Sequence, residues 1–161
     1  MSWLARILLG AFILAGCQSG QLPRDFKPTL ARFFLESADG RGTPVVLPRS
    51  GVAMVVNAKP VLNEGDIVNV ELVQVDLGKC LMFQVTTAAA RDLYRMSASS
   101  QGRRLVLAID GVAVGARRID GPIADGSMFV FAEIADSALP KLVEDLKQSS
   151  VVLQRAIKRK S

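Results

Sequence analysis

The stretch CLMFQVTTAAARDLYRMSASSQGRRLVLAIDGVAVGARRI, residues 80–119, carries the clearest structural signals in this chain. Its apolar start predicts a strand over 80–86, and apolar residues then recur at helical spacing over 87–100. Two apolar runs within 105–119 flank an Asp-Gly pair at 110–111, which is among the strongest short-range hairpin signals. The stretch therefore predicts a strand, a helix and a hairpin in succession.

The residues after this stretch continue the alternation of strands and helices. A second Asp-Gly turn precedes a predicted strand over 128–134. Leucine and valine recur on one face of 135–150, which predicts a second helix. The segment 151–161 begins with β-branched residues and ends in lysines and arginines, and we expect a short terminal strand followed by a basic tail.

The residues before it contain short apolar runs separated by proline and glycine. The segment 29–42 fits either a helix or a strand, and strands are expected at 45–47, 52–56 and 67–76. The last run breaks strict alternation, so we expect a bulge or burial on both faces. Residues 29–150 therefore predict one α+β domain, with an antiparallel-rich sheet and two helices packed on one of its faces.

The composition restricts the function classes. The chain has 161 residues, 50% of them hydrophobic, which suits one modest folded domain and makes general disorder a poor fit. It contains no histidine, so the commonest general base and transition-metal ligand is missing. The net charge of +5 favours anionic partners only mildly, and the 6% aromatic content offers no stacking platform for nucleic acid.

The N-terminal segment has the features of an export signal. Residues 1–16 carry one positive charge, Arg6, and then an apolar run too short for a permanent membrane span. The Leu-Ala-Gly at 14–16 and the following Cys17 resemble the lipobox of bacterial lipoproteins. Two alternatives remain open: an ordinary secretory signal with a cysteine there by chance, or a cytosolic protein with an apolar start.

The lipobox resemblance implies where the mature chain is held. Cleavage after residue 16 and a covalent lipid on Cys17 would anchor the chain at a membrane, with 17–28 as a tether. The location is then the periplasmic side of the cell envelope, and Gln18 favours the outer membrane over the inner. We expect no cofactor besides this lipid, and Cys80 becomes a lone thiol.

One segment of the chain resembles a known family. PVLNEGDIVNVEL at 60–72 and residues 80–146 resemble the head of the first periplasmic domain of SecD, a subunit of the bacterial protein-export machinery. The resemblance covers about 60–150, and its motifs are structural. The matching segments are Leu62–Ile67, Leu81–Met96, Leu105–Val114, Ile123–Gly126 and Ala135–Lys147.

The resemblance has limits that affect function. The family carries a Ser-Ala-Pro stretch on the returning hairpin strand, where this chain has Val-Gly-Ala-Arg-Arg at 114–118. No transmembrane bundle follows Leu146, so the proton-driven machinery of the translocon is not implied. What the resemblance implies is a fold and a tendency to bind polypeptide.

Three residues are candidates for catalytic groups. Cys80 lacks a histidine base and precedes an apolar run, which favours a structural thiol. Asp110 and Asp125 would suit an acid pair for hydrolysis, but both precede glycine in turns, where aspartate is favoured by local hydrogen bonding. No segment has the oxygen-ligand spacing of a calcium loop. We therefore assign no catalytic and no metal-binding residue.

The candidate binding site is a set of four arginines at the base of the predicted hairpin. The paired strands bring them together as a patch able to grip carboxylates or phosphates. The patch consists of Arg103, Arg104, Arg117 and Arg118. The structural alternative is that these side chains are solvated hairpin ends paired with Asp120 and Glu133.

The favoured hypothesis is a non-enzymatic, lipid-anchored module that binds a protein or peptide, in protein export or envelope assembly. β-Augmentation at an exposed sheet edge is a suitable mode of binding. A hydrolase that uses carboxylates and a passive structural lipoprotein are the alternatives. No nucleic-acid partner and no small-molecule substrate are evident. The tail RAIKRKS, residues 155–161, either adds attraction to anionic lipid or is a frayed terminus.

Overall fold

The computed structural model describes residues 26–159. The predicted signal peptide, Cys17, most of the predicted tether and the last two residues of the predicted tail lie outside this range, and the predictions for them stay predictions. Within it, the chain forms eight strands and two helices. They are β1 (Ala31–Leu35), β2 (Thr43–Val46), β3 (Ala53–Val56), β4 (Ile67–Val75), β5 (Gly78–Val85), α1 (Thr87–Ser99), β6 (Arg104–Ile109), β7 (Val112–Arg118), β8 (Ser127–Val130) and α2 (Leu139–Lys158).

The strands form three antiparallel ladders, in the orders β1-β6-β7, β2-β3 and β4-β5-β8. An isolated bridge between Gly115 and Ala132 joins the two larger ladders, and a second bridge between Glu36 and Val56 attaches the β2-β3 hairpin to β1. The predicted α+β class is confirmed. The expected single sheet is divided at the Gly115 bridge.

The main core lies between the two larger ladders and the two helices. Phe33 on β1 and Phe83 on β5 are fully buried, and their rings meet edge to face with centroids 5.0 Å apart. Leu93 of α1 and Val143 of α2 are buried in the same cluster. One apolar core therefore holds both helices and both ladders together.

A smaller core lies on the opposite face of β6, beneath the β2-β3 hairpin. Its members are apolar residues from the hairpin and the two strands below it: Leu47, Met54, Val56, Val106 and Ala113. Because β6 has apolar clusters on both faces, Leu105–Ile109 is buried throughout. This explains the unbroken apolar run at these positions.

The sequence predictions for the central stretch are confirmed. Asp110 and Gly111 both have positive φ, at 49° and 87°, as a two-residue hairpin turn of this kind requires. α1 begins after Thr86, whose hydroxyl oxygen accepts a hydrogen bond from the Ala89 N–H at 3.2 Å. The irregularity expected in β4 is present as a register shift between Ile67 and Asn69.

The structure decides one segment that the sequence left open and corrects one boundary. The ambiguous segment 29–42 contains a strand, β1, and its alternate residues are buried. β8 ends at Val130, short of the predicted 134, because the chain bends there to cross Gly115. A Cβ added at Gly115 would lie 2.5 Å from the carbonyl oxygen of Phe131, so only glycine permits this crossing.

The prediction of a terminal strand at 151–161 was wrong. α2 begins at Leu139, later than the predicted 135, and continues to Lys158. No glycine or proline follows Ser150 to end the helix. The amide of Gln154 donates a hydrogen bond to the Gly65 carbonyl oxygen at 2.7 Å, which ties this part of the helix to the start of β4. Tertiary contacts thus override the β-branched residues.

Candidate functional site

Two of the four predicted arginines are bound within the domain. The guanidinium of Arg104 contacts both carboxylate oxygens of Glu36, at 3.0 Å from Nη2 to Oε1 and 3.1 Å from Nε to Oε2. Arg103 donates from Nε to the Glu36 carbonyl oxygen at 2.8 Å, and its Nη2 donates to the same atom. Both side chains therefore bind Glu36, the residue that follows β1, each through two of its five guanidinium N–H groups.

The other two arginines lie on opposite faces of β7. Arg118 is the cross-strand partner of Arg104, whereas Arg117 is opposite the buried Leu105. Successive residues of a strand point to opposite faces, so the two side chains diverge. The structure brings Arg104 and Arg118 together and separates Arg117 from them.

The structural alternative for the arginines is confirmed in part. Arg118 lies 3.7 Å from the carboxylate of Asp120, and both side chains are largely exposed. Glu133 binds elsewhere, because its Oε2 accepts from the backbone N–H groups of Arg49 at 2.7 Å and Ser50 at 2.9 Å. Hydrogen bonds from the Ser50 side chain and backbone, and then from Arg49, hold the pKa of Glu133 below its usual range.

Arg117 lines an open cleft of about 440 Å³ between β7 and β8. Within residues 26–159 its side chain makes no hydrogen bond and no ion pair, although it is half-buried. The other cleft residues come from the loop 121–125 and from β8. They are Gly121, Pro122, Ile123, Ala124, Asp125, Ser127 and Phe129. The cleft therefore combines apolar side chains, an acidic residue at its rim and an arginine without a partner among the described residues.

The cleft opens because β7 and β8 diverge after their bridge. The Glu133 N–H donates to the Val114 carbonyl oxygen, so the peptide groups of Val114, Ala116 and Arg118 face away from β6. Among the described residues, the pairing of this edge of β7 with the chain after β8 is confined to the single bridge between Gly115 and Ala132. Donors and acceptors of two strand edges are thus left along the cleft.

The loop 121–125 is held rigidly against α1. The fully buried Ser97 hydroxyl accepts from the Ile123 N–H at 2.9 Å and donates to the Tyr94 carbonyl oxygen at 3.1 Å. Beyond this loop lies a second open cleft of about 440 Å³, with Arg91 and Arg95 among its lining residues. The loop is therefore a fixed ridge with cationic side chains on both sides.

The three candidates for catalytic groups have structural roles. Cys80 is buried, and burial raises the pKa of its thiol, which lowers its reactivity. A carboxylate oxygen of Asp110 accepts from the Leu30 N–H at 2.8 Å, and one of Asp125 accepts from the Ser127 N–H at 3.0 Å. Asp125 thus stabilises its own turn, as its position before glycine predicted, whereas the Asp110 side chain ties the hairpin turn to the residue before β1.

Two other kinds of feature, a metal site and a membrane-spanning helix, are absent from residues 26–159. In this range no three His, Cys, Asp or Glu side chains are grouped so as to hold a metal ion. None of the helices described is long and apolar enough to cross a membrane.

Sequence reasoning missed two residues that shape these surfaces. Glu36 is 68 residues from Arg104, and no local pattern indicates that they pair. Phe129 is 39% exposed, between the buried Met128 and Val130. The alternation within this strand was a signal that one face carries an outward aromatic side chain.

Comparison with known proteins gives matches among solved structures. No family model matches this chain, and neither does any curated protein. A SecDF chain described as a membrane component that enhances protein export superposes with a TM-score of 0.54 at 16% identity, over 80% of this chain and 63% of its own length. SecDF in a super-membrane-facing form gives a TM-score of 0.54 at 16% identity, over 78% and 18% of the two chains.

A third structure is the translocon-associated membrane protein SecDF from Thermus thermophilus, with a TM-score of 0.50 and 17% identity, over 77% of this chain and 19% of that one. This chain thus spans less than two thirds of each of these structures. At such low identity the likeness shows the fold. The predicted SecD-like domain is confirmed at that level.

Proposed function

We propose that this protein is a lipid-anchored periplasmic module without catalytic activity, which binds an extended polypeptide and serves protein export or envelope assembly. The observation that carries the proposal is the open cleft between β7 and β8 in a domain with a SecD-like fold. The SecDF structures are described as membrane components of protein export, and this context is extended to the present chain as part of the proposal.

The cleft suits an extended polypeptide for three reasons. The edge of β7 beyond the Gly115 bridge offers backbone donors and acceptors that a further strand would pair with. Phe129 and Ile123 supply an apolar wall for alternate side chains. Arg117 supplies a guanidinium that would pair with an acidic side chain or a terminal carboxylate.

The four arginines take different parts in this proposal. Arg117 contacts the polypeptide inside the cleft, and the exposed Arg118 attracts it from the opposite face of the same strand. Arg103 and Arg104 act indirectly, because their bonds to Glu36 fix the strand beside β7. The predicted binding patch is thus reduced to two direct contacts.

The anchor remains a proposal based on the sequence. An acylated Cys17 would hold the domain at the membrane, with the tether 17–28 between them. Gln18 favours the outer membrane, by resemblance to lipoprotein sorting. This placement would put the cleft in the periplasm, into which exported polypeptides are released.

The test is photo-crosslinking in intact cells, with the photoreactive residue at position 129 in the cleft and, as a comparison, at position 41. The side chain of Arg41 is 88% exposed and lies outside the cleft residues. We expect position 129 to capture newly exported chains or translocon subunits, and position 41 to capture far less. The variant Arg117→Gln in the cleft probe, matched by Arg41→Gln, should lower the capture at position 129 several-fold.

Two results would contradict the proposal. Equal capture from both positions would mean that the cleft has no special role. Capture of no exported chain or translocon subunit from either position would favour the passive structural lipoprotein. The variant Cys17→Ser tests the anchor separately, because release of the domain from the membrane fraction is expected only if this cysteine carries the lipid.

A further inference from the structure

The last turn of α2 lies at the surface of the domain. Leu139, Val143 and Leu146 are buried, whereas every described residue from Arg155 onward is exposed. The helix is 20 residues long and continues as a regular helix to Lys158. Its last turns therefore present a rigid outer surface to the surroundings.

This outer surface carries charges of one sign. From Leu146 to the end of the chain, the sequence contains five basic residues and no acidic one. At 3.6 residues per turn, four of the cations and one valine fall within an arc of roughly 120°, opposite the core face. We call them the basic stripe: Lys147, Val151, Arg155, Lys158 and Arg159.

The cations of the stripe are not neutralised by the domain. Among residues 26–159 none of the four forms an ion pair. The acidic residues near the stripe have partners of their own: Asp145 binds Lys141 at 2.9 Å, and Glu64 binds Arg32 at 2.6 Å. Glu144 lies one turn before the stripe and accepts from the Gln148 amide.

We propose that the basic stripe binds an anionic lipid surface and lays the end of α2 along it. A convex helix face about 18 Å long fits a flat charged surface better than it fits a concave site. Val151 is 46% exposed between the cations and is positioned to enter the interfacial region. The domain would then have one fixed orientation relative to the membrane.

The inference rests on the proposed function only for placing the domain beside a membrane. Binding of lipid by the stripe is a separate property with a separate test. If crosslinking from the cleft fails and the stripe still binds vesicles, the polypeptide-binding function is wrong and the present inference stands.

The test uses the full chain with Cys17→Ser and Val151→Cys, labelled at position 151 with a polarity-sensitive fluorophore. Cys80 is buried and its thiol pKa is raised, so the label goes to position 151. The probes are vesicles of phosphatidylcholine alone and vesicles that also contain 30% phosphatidylglycerol. The difference between the two isolates the effect of lipid charge from that of the apolar residues 1–16.

Two triple variants with the same change in net charge are compared. The stripe variant combines Arg155→Gln, Lys158→Gln and Arg159→Gln, and the control combines three exposed arginines elsewhere, Arg41→Gln, Arg91→Gln and Arg95→Gln. Each cation at an anionic surface changes partitioning about fivefold. We expect the stripe variant to lose about 100-fold of the phosphatidylglycerol-dependent partitioning, and the control less than about threefold.

Three results would overturn the inference. If the two triple variants lose the same amount, net charge and not the stripe is responsible. If the label does not respond to phosphatidylglycerol in the parent chain, the stripe does not contact lipid. If polyaspartate shifts the label as strongly as the vesicles do, the stripe is a site for acidic polypeptides and the lipid assignment fails.

Discussion

The two edges of β7 differ in how many of their residues pair with a neighbouring strand. On the β6 side, every residue of β7 except the one at the register shift has a cross-strand partner, and the neighbouring Arg104 is bound by Glu36. On the β8 side, the pairing is confined to the Gly115 bridge, and Arg117 is left without a partner among the described residues. One edge stabilises the domain, and the other is available to something outside it. Arg104 is thus bound within the domain, whereas Arg117, on the neighbouring strand, is not.

The largest difference in stability is expected between truncation of a core aromatic residue, Phe33, and truncation of Phe129 in the open cleft. Phe33 is fully buried against Phe83, so Phe33→Ala should lower the free energy of unfolding by about 3–5 kcal/mol. Phe129 on the open side is 39% exposed, so Phe129→Ala should cost less than about 1 kcal/mol. Urea unfolding measures both. Similar losses would mean that the cleft wall is part of the core.

Glycine substitutions test the close crossing at the bridge between Gly115 and Ala132. Gly115→Ala places a methyl group 2.5 Å from the Phe131 carbonyl oxygen, and we expect a loss of about 1–3 kcal/mol as the strands move apart. Gly121→Ala is the matched control, because no atom lies within 4 Å of its added Cβ. Thermal unfolding of both variants gives the comparison. An unchanged melting temperature for Gly115→Ala would contradict the close crossing.

Two substitutions compare Arg104, which is bound by Glu36, with Arg117, which has no partner among the described residues. Glu36→Gln removes the carboxylate that binds Arg104 and should destabilise the domain by about 1–2 kcal/mol, since both side chains are partly exposed. Arg117→Gln should change stability by less than about 0.5 kcal/mol, because no internal bond is lost. Chemical denaturation measures both variants. A larger loss for Arg117→Gln would show that the cleft arginine has an internal role.

A third arginine gives the smallest effect and a pH dependence. Arg32 binds Glu64 through both carboxylate oxygens, at 2.6 Å and 2.8 Å, and this hydrogen bonding lowers the pKa of Glu64 from its ordinary value of 4.5. A carboxylate whose pKa is lowered by folding stabilises the native state above its unfolded pKa. That stability is lost as the pH falls through the folded value.

The expected contribution of this pair at pH 7 is about 1 kcal/mol or less, because Arg32 is partly exposed. Wild type and Glu64→Gln should therefore differ at pH 7 and converge as the pH falls below 4.5. Unfolding curves at pH 7, 5 and 3 measure the difference. A gap that widens towards pH 3 would contradict the assigned sign.

The sequence predicted those parts of the molecule that depend on neighbouring residues. The turn at 110–111, the first helix and the irregular β4 follow from local chemistry and periodicity, and all are present. The end of α2 was predicted as a strand because Val151 and Val152 favour one, but contacts with β4 decide otherwise. Local propensity predicts secondary structure least well where a distant element of the fold supplies the packing contacts.

The candidate site was harder to predict than the fold. The four arginines were identified as a set, yet the pairing of Arg104 with Glu36 and the opposite faces of Arg117 and Arg118 depend on strand register and on a residue far away in the chain. The cleft itself results from the divergence of two strands after Gly115. The residue types along the two strands do not indicate where the strands separate.

The buried position of Cys80 has a consequence for the environment in which this domain would work. Periplasmic enzymes oxidise accessible thiols and join them as disulfides. A thiol that is 1% exposed and has a raised pKa offers little thiolate for attack or exchange. Folding would therefore end the exposure of this cysteine to cross-linking, and a slowly folding variant would accumulate mixed disulfides through it.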